Sequence, residues 1–395
     1  MTPPGGGSET YAADPVALAQ ALVRIPSVNP GLEAEGAGER AMGDFCARLL
    51  EQWGLDYRSY EAAPGRPNVV AELPGTGPTL LLNGHLDTVG VAGMKEDPFS
   101  GALRDGTLRG RGACDMKGGV AAILTTAREL AGVPVTERPH LTVALTSDEE
   151  HASVGMERLV RDGIHADFGI ICEPTELSVM PAHKGFIWLR VTFGGHAAHG
   201  SRPDLGVDAI RHAGRYLALV DRIEADLRER PPHPLLGHAS FHAGTIRGGS
   251  AASVYPDGCE LVLERRTLPG ETKDEVVRPF LDALDTLRSE HDQVDARLDV
   301  TLERPGSEVS ADESRVAALL DAVRTSGREG SIRGMTAWVD AAYLNEAGVP
   351  TVCFGPGSLE QAHTADEWAC VDEIRSCANT LQRFARGLVP NGPKG

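Results

Sequence analysis

The sequence predicts an α/β fold: a discontinuous α/β domain interrupted by an inserted ferredoxin-like α+β domain. Three observations support this. Short apolar runs, typical of strands buried on both faces, alternate with helical segments in the first and last parts of the chain. Polar residues directly follow several of these runs. The middle part instead has the order β-α-β-β-α-β. We therefore predict segments 1–183, 184–303 and 304–395, of which the first and last form one domain.

Composition limits the function classes. The formal net charge of −18 argues against nucleic acid and anionic membranes as partners. No apolar run approaches 18 residues, so we expect no membrane span. Residues 1–10 lack a basic region and an apolar core, so we expect no secretion signal there and loose tails at 1–10 and 390–395. Seven cysteines without a C-x-x-C motif favour a reducing cytoplasm over a disulfide framework or thiolate metal site.

The first predicted elements are two helices followed by strands. Asp14 before Pro15 is typical of a helix start. The first domain segment has predicted helices at 16–24 and 39–53, a loop at 27–33, and strands at 68–73, 79–82, 141–146 and 168–171.

The run 79–82 is predicted to be a buried central strand. It leads into the stretch NGHLDTV (83–89), which contains His85 and Asp87. Active sites of open α/β sheets form at the carboxyl ends of strands, so this pair is a candidate site. An ordinary polar turn is the alternative.

Residues 110–132 are rich in glycine at their start. We expect Asp115 to open a helix that runs through 121–130. A carboxylate at a helix N-terminus is favoured by the exposed amides and the helix dipole, so a purely structural role for Asp115 is available. The glycines indicate that the backbone passes close to another group.

Three more strand ends carry similar residues. Glu149 and Glu150 follow the strand at 141–146, Glu173 follows the strand at 168–171, and His363 follows a strand at 351–354. Adjacent carboxylates repel each other unless a cation or a proton intervenes, although a solvated acidic loop is their commonest setting. Taken with the residues described above, this set predicts one convergent site.

The remaining predicted elements complete the two domains. The inserted domain has strands at 186–194, 240–247, 259–268 and 296–302 and helices at 205–228 and 271–289, and the last segment has helices at 312–325, 340–346 and 371–388 beside its strand.

A set of histidines and carboxylates suits zinc, and less distinctively manganese or cobalt. If His85, Asp115, Glu150, Glu173 and His363 converge, their formal charge of −3 is balanced by two divalent cations and a hydroxide. Such a metal pair lowers the pKa of bound water toward about 7. Glu149 is then the candidate general base, and Asp87 can hydrogen-bond the His85 ring.

Five separated stretches resemble the dizinc aminoacylase and peptidase family. They are NGHLDTV (83–89), GRGACDMKGG (110–119), SDEE (147–150), CEPT (172–175) and GPGSLEQAHTADEW (355–368). That family contains acetylornithine deacetylase, succinyl-diaminopimelate desuccinylase, aminoacylase and the glutamate-releasing carboxypeptidase. The resemblance covers about residues 14 to 388 and implies a zinc-hydrolase catalytic domain with an inserted lid domain.

The resemblance implies a role for each metal-site residue. His85, Asp115 and Glu173 would hold one zinc ion, and Asp115, Glu150 and His363 the other, with Asp115 bridging. Glu149 would act as base and acid, supported by Asp87. The peptide bond between residues 115 and 116 would be cis.

The resemblance also extends to the lid. In GGHAAHGSRPDLGVDAI (194–210), His199 matches the histidine that reaches an active site, in dimers that of the other subunit, and would polarise the scissile carbonyl. Arg266 matches the arginine that binds the substrate carboxylate, although a strand arginine paired with a lid carboxylate is the alternative. Ser253 stands where the family usually has asparagine, which leaves the substrate pose open. Asp340 and Gly355 match positions that line the cleft.

We therefore predict a cytoplasmic, metal-dependent amidohydrolase that removes an acyl group from an amino acid or related small carboxylate and dimerises through its lid. Glu173 at its position resembles the deacetylase and desuccinylase branch, whereas some peptidase branches carry aspartate. The alternatives are a dipeptidase or glutamate-releasing carboxypeptidase with the same metals, a non-catalytic metal- or ligand-binding protein of this fold, and an α/β protein without a site.

Overall fold

The computed structural model describes residues 14–389, which form two compact units. The larger unit contains residues 14–181, 309–333 and 339–389, and the inserted unit contains 182–308 and 334–338. The chain therefore enters the inserted unit twice. The tails predicted at 1–10 and 390–395 lie outside the described residues. No helix within 14–389 is long and apolar enough to cross a membrane.

The first part of the larger unit begins with a helix set by local sequence. Asp14 accepts a hydrogen bond from the Val16 amide at 3.0 Å, and Pro15 follows at the first helical position. The elements are α1 (Pro15–Val23), α2 (Arg40–Gln52), β1 (Asp56–Ala63), β2 (Arg66–Leu73), β3 (Gly77–His85), β4 (Ala102–Arg104), β5 (Thr107–Arg109), α3 (Gly118–Ala131), β6 (Pro139–Thr146), α4 (Val154–Arg161) and β7 (Phe168–Ile171).

The inserted unit has the predicted β-α-β-β-α-β order. After β8 (Val179–His183) come β9 (Gly185–Gly194), α5 (Ala209–Glu229), β10 (Ser240–Gly248), β11 (Gly258–Thr267), α6 (Lys273–Glu290), β12 (Asp295–Arg304) and the short β13 (Ser307–Glu308). The antiparallel sheet has the order β10-β11-β9-β12. Alternate residues of β9 point into the core, where Phe193 packs on Tyr216 of α5 and Phe280 comes from α6.

The chain then returns to the larger unit. Its elements are α7 (Ser314–Thr325), β14 (Ile332–Met335), α8 (Ala341–Glu346), β15 (Thr351–Cys353), β16 (Trp368–Cys370) and α9 (Val371–Gly387). Strand β1 was not predicted from the sequence. Its residues are mostly exposed and polar, because it is the edge strand of the sheet.

The main sheet places the predicted central strand at its centre. Its order is β1-β2-β6-β3-β7-β15-β8-β13, with β14 also paired to β8, and β3 is buried from Leu80 to its end. The pairs β3–β6, β3–β7 and β7–β15 are parallel, with Leu82 opposite both Val143 and Ile170. The carboxyl ends of these four strands therefore lie along one edge of the sheet. The discontinuous α/β fold with its inserted unit is confirmed.

Candidate metal centre

Residues from four strand ends and one loop meet at this edge of the sheet. His85 is the last residue of β3, while Glu150, Glu173 and His363 lie in the segments after β6, β7 and β15. With Asp115 they form two triads, His85–Asp115–Glu173 and Asp115–Glu150–His363. The candidate ligand atoms of each triad lie within 4.8 Å of one another, which is close enough to surround a single ion.

Asp115 is shared by both triads and offers one carboxylate oxygen to each. Its Oδ1 lies 2.9 Å from Nε2 of His85, and its Oδ2 lies 3.3 Å from Nε2 of His363. Glu150 Oε2 is 3.1 Å from the same His363 nitrogen, and Glu173 Oε1 is 4.0 Å from His85 Nε2. An aspartate that faces two sites in this way can bridge two cations about 3.5 Å apart.

The triad residues perturb one another's protonation. Burial lowers the pKa of both histidines, but hydrogen bonds with Asp115 and nearby carboxylate charge outweigh it, so the pKa of His85 lies well above its ordinary value and that of His363 rises to about 11. Burial raises the pKa of Asp115, but hydrogen bonds from His363 and His85 hold it below its usual range. Burial and the charge of Asp115 raise the pKa values of Glu150 and Glu173. The site concentrates negative charge that cations can balance.

The donor set fits divalent metal ions. Oε1 of Glu150 and Oε1 of Glu173 are buried and have no hydrogen-bond partner among residues 14–389. A buried carboxylate oxygen without a partner is costly, and a coordinated cation removes that cost. Imidazole nitrogens and carboxylate oxygens, without thiolates, match zinc and related ions.

The expectation that Asp115 opens a helix is wrong. Its backbone is extended, with φ −123° and ψ 97°, and α3 begins only at Gly118. Its amide is instead bound by the carboxylate of Glu367, at 3.2 Å. The peptide bond between Asp115 and Met116 is cis, as the resemblance implied.

Asp87 binds the His85 ring through its backbone. Its carbonyl oxygen lies 3.0 Å from His85 Nδ1, whereas its carboxylate is 3.6 Å away. The carboxylate accepts hydrogen bonds from the backbone amides of Glu149 and Glu150, at 3.2 and 3.1 Å, and from Nδ2 of Asn29, at 2.7 Å. Asp87 thus orients both the histidine and the turn that carries the two glutamates.

Glu149 belongs to neither triad among residues 14–389. Burial raises its pKa well above the ordinary value, and the charges of Glu173, Asp340 and Glu150 act in the same direction, while His85 opposes them. A carboxylate that is close to the triads yet outside them is available to accept a proton.

The other two predicted cleft residues of the larger unit are also buried. Asp340 directly precedes α8, and its charge raises the pKa values of Glu149 and Glu173. Gly355 uses its amide and carbonyl in hydrogen bonds with Thr175. A Cβ on Gly355 would lie 2.4 Å from the Cys172 carbonyl oxygen, so glycine is required for this close approach. Contact of either residue with substrate stays a prediction.

In the inserted unit the predicted residues fall into two places. His199 pairs with Val254, and the Gly200 amide donates to the Ser253 carbonyl at 2.7 Å, so His199 and Ser253 are neighbours. Arg266 lies near the other end of β11, where Nε donates to Glu264 at 2.7 Å and the guanidinium stacks over Phe186. Arg266 is therefore paired with a carboxylate of the same unit, and a third of its side chain is exposed. Its binding of a substrate carboxylate stays a prediction.

Three residues that support the site were not predicted from the sequence. They are Asn29, which binds Asp87, and the buried pair of Arg111 and Glu367 beside Asp115. Arg111 and Glu367 lie in stretches already singled out, 110–119 and 355–368, but nothing in either stretch pairs the two residues.

The fold and the two triads define a class, the metal-dependent hydrolases with a two-metal site. The chain belongs to peptidase family M20/M25/M40, whose model matches residues 81–387. It is therefore a hydrolase of amide bonds.

Individual relatives and a solved structure agree with this assignment. The acetylornithine deacetylase of Myxococcus xanthus is 31% identical over 359 residues, which cover 86% of this chain and 90% of the relative. The N-formyl-4-amino-5-aminomethyl-2-methylpyrimidine deformylase of Bacillus subtilis is 26% identical, with 93% and 92% covered. A tripeptidase from Staphylococcus aureus has a TM-score of 0.80 at 23% identity, with 96% of this chain and 99% of the tripeptidase covered, which shows a common fold.

Proposed function

We propose that the chain is a metal-dependent amidohydrolase that removes an N-acyl group, of acetyl or succinyl type, from an amino acid or a related small carboxylate. The observation that carries this proposal is the sharing of Asp115 by two triads with Glu149 beside them. The acetylornithine deacetylase relatives support the acyl amino acid as substrate, and the deformylase relative also acts on an N-acyl group by its name.

In this proposal each triad holds one zinc ion, for which cobalt or manganese can substitute. Ions held there would supply Lewis-acid chemistry, lowering the pKa of water and polarising the amide carbonyl. His85 and His363 provide the nitrogen ligands, and Asp115 provides one oxygen to each site. The bond from His85 Nδ1 to the Asp87 carbonyl leaves Nε2 to face the metal.

Glu149 moves the proton in the proposed reaction. Its carboxylate takes the proton released as water attacks the carbonyl carbon and delivers it to the leaving nitrogen. The Asp87 carboxylate holds the Glu149 amide at 3.2 Å, which limits the positions that the base can adopt. Because burial raises the pKa of Glu149, its carboxylate binds a proton more readily than an exposed glutamate does.

We also propose that His199 polarises the scissile carbonyl and that Arg266 binds the substrate carboxylate, with Ser253, Asp340 and Gly355 nearby. In β11 the register places Gly258 opposite Gly194 and Arg266 opposite Phe186, eight residues further along. The strand rise puts Gly258 and Arg266 about 26 Å apart, and Val254, which pairs with His199, precedes Gly258 in the chain. This supports a homodimer in which His199 comes from the second copy.

All seven cysteines, which fall within the described residues, are free thiols, and this supports a reducing compartment such as the cytoplasm.

A hydrolysis screen tests the substrate class. Metal-free protein is reconstituted with zinc or cobalt, and N-acetylornithine, N-succinyl-diaminopimelate, other N-acyl amino acids and dipeptides are compared, with a chelated control. We expect chelator-sensitive release from acyl amino acids. Preference for dipeptides would instead assign the chain to the peptidase alternative.

Two neighbouring variants test the proposed roles. Glu149→Gln should retain two metal ions and lose nearly all turnover, because only the proton acceptor is removed. Glu150→Gln should bind the second metal ion weakly, because a ligand is removed. If Glu149→Gln keeps activity within about tenfold of the parent, a loss of only about 1.4 kcal/mol, Glu149 is not the base.

A further inference from the structure

Glu367 and Arg111 form a buried ion pair beside the metal centre. Arg111 Nη1 lies 2.5 Å from Glu367 Oε2, and the two side chains are 3% and 0% exposed. A buried ion pair is often no more stabilising than apolar residues of the same size. Stability alone is therefore a poor explanation for this pair.

The two oxygens of Glu367 have separate partners. Oε2 accepts from Arg111, whereas Oε1 accepts the amides of Cys114 and Asp115 at 3.0 and 3.2 Å. Arg111 is itself oriented by a bond from Nε to the Gly90 carbonyl at 2.9 Å. A carboxylate satisfies both sets of donors at once, and no neutral side chain of the same shape does so.

Glu367 joins two segments that are remote in sequence and that carry two ligands of one triad. It follows His363 by four positions, and its carboxylate and carbonyl bind the segment that leads to Asp115. The adjacent strand β16 pairs with β5, with Trp368 opposite Arg109. By contrast, His85 lies at the end of β3, which is bonded to strands on both sides.

We propose that Glu367 is a positioning residue that sets the metal affinity of the triad Asp115–Glu150–His363. It does so by holding the Asp115 backbone and the His363 segment in one arrangement. The inference rests on the proposed two-metal function. The triad His85–Asp115–Glu173 depends less on Glu367, because His85 ends the central strand β3 and Glu173 follows the neighbouring strand β7 by two residues.

The test is a titration of the metal-free full-length chain with Zn²⁺ by calorimetry and with Co²⁺ by absorption. In the variant Glu367→Gln the side chain has a single carbonyl oxygen, which can face either Arg111 or the two amides but not both. We expect this variant to bind one equivalent of metal with the affinity of the parent and the second equivalent with an affinity lower by about tenfold or more. The control is Asp366→Asn, which removes an exposed ion pair with Arg109 on the same two segments and should bind both equivalents as the parent does.

The double variant Arg111→Met with Glu367→Gln tests the same reasoning without a lone buried charge. The glutamine oxygen is then free to accept the two amides, so we expect the second metal to regain most of its affinity. This double variant also decides the question if Glu367→Gln alone fails to fold. Thermal unfolding of each metal-free variant separates loss of folding from loss of metal.

The outcomes separate this inference from the function on which it rests. Failure of the parent chain to take up two metal ions would contradict the proposed function. Two equivalents in the parent and in folded Glu367→Gln, with equal affinities, would contradict only the positioning role. Equal weakening of both metal ions, or a folded double variant that still binds only one, would also overturn the role.

Discussion

Asn29 separates two buried carboxylates, and replacing it with aspartate gives a sharp test of the network behind the metal centre. Its Nδ2 donates to Asp87 at 2.7 Å and to Asp148 at 2.9 Å. Its Oδ1 accepts the Gly31 amide at 2.8 Å, which supports this orientation of the side-chain amide. Asn29→Asp keeps the shape of the side chain and replaces both donors with negative charge.

The magnitude follows from the choice available to the new carboxyl. If the new carboxyl ionised, repulsion from Asp87 would cost about 4 kcal/mol, taking about 4 Å between charge centres and an effective dielectric constant near 20. Repulsion from Asp148 is partly offset by Arg66, which contacts Asp148. If it bound a proton instead, the cost at pH 7 would be about 4 kcal/mol relative to an ordinary aspartate pKa near 3.9. Both routes predict a free-energy loss of about 4 kcal/mol at pH 7.

The pH dependence has a definite sign. The folded-state pKa of the introduced carboxyl is raised, so the charge-dependent part of the destabilisation is absent below the unfolded-state pKa near 3.9 and grows as the pH rises toward the folded-state pKa. A pH-independent part remains, because a protonated carboxyl has one O–H donor where the amide donated two hydrogen bonds. Between pH 7 and pH 5 the loss should shrink by about 2.7 kcal/mol. Urea unfolding of the metal-free chain at the two pH values measures this difference. The control Asn29→Ala removes the hydrogen bonds without adding charge and should cost about 2–3 kcal/mol at both pH values.

A cost for Asn29→Asp that is the same at pH 5 and pH 7, or no larger than that of Asn29→Ala, would refute the reasoning. It would mean that Asp87 and Asp148 do not both face this side chain as charged groups.

Two further predictions concern buried basic side chains. Arg138 donates to three backbone carbonyls at and just after the end of α3 and to the Pro74 carbonyl, so Arg138→Met should lower the free energy of unfolding by about 2–3 kcal/mol. A loss in urea unfolding below about 1 kcal/mol would contradict this role. Burial lowers the pKa of His183 from 6.5 to about 4, so its contribution to stability is complete above pH 6.5 and is lost as the pH falls toward 4, by about 3 kcal/mol. His183→Gln should remove most of this acid sensitivity, whereas His165→Gln, at an exposed position, should leave it unchanged.

The convergence that the sequence predicted is observed for the residues whose signal was local, while their roles stay predictions. His85, Glu150 and Glu173 each follow an apolar run, and a parallel sheet brings such strand ends to one edge. Asp115 does lie among these side chains, but the expectation that it opens a helix is wrong. A carboxylate before a helical pattern resembles a helix start, and only the bond from its amide to Glu367 shows that the chain is extended there.

The supporting residues could not be predicted in the same way. Asn29 lies in a segment without periodic pattern, and its role depends on two carboxylates that are far away in the chain. Arg111 and Glu367 likewise meet only after the chain has passed through the inserted unit. A single sequence contains no record of such pairings, because they are made by tertiary packing and not by neighbours along the chain.

The sequence by itself determined the α/β class, the inserted β-α-β-β-α-β unit and the identity of the residues that gather at the metal centre. Hydrophobic runs, helix-start residues and strand-end polar groups are encoded locally, and the topology of a parallel sheet then leaves little choice. Only the tertiary structure decided how the site is held: Asp115 has an extended backbone whose amide binds Glu367, and the Asp87 carboxylate accepts two backbone amides. Each of these depends on which distant group satisfies a buried polar atom, and that is settled when the segments pack together.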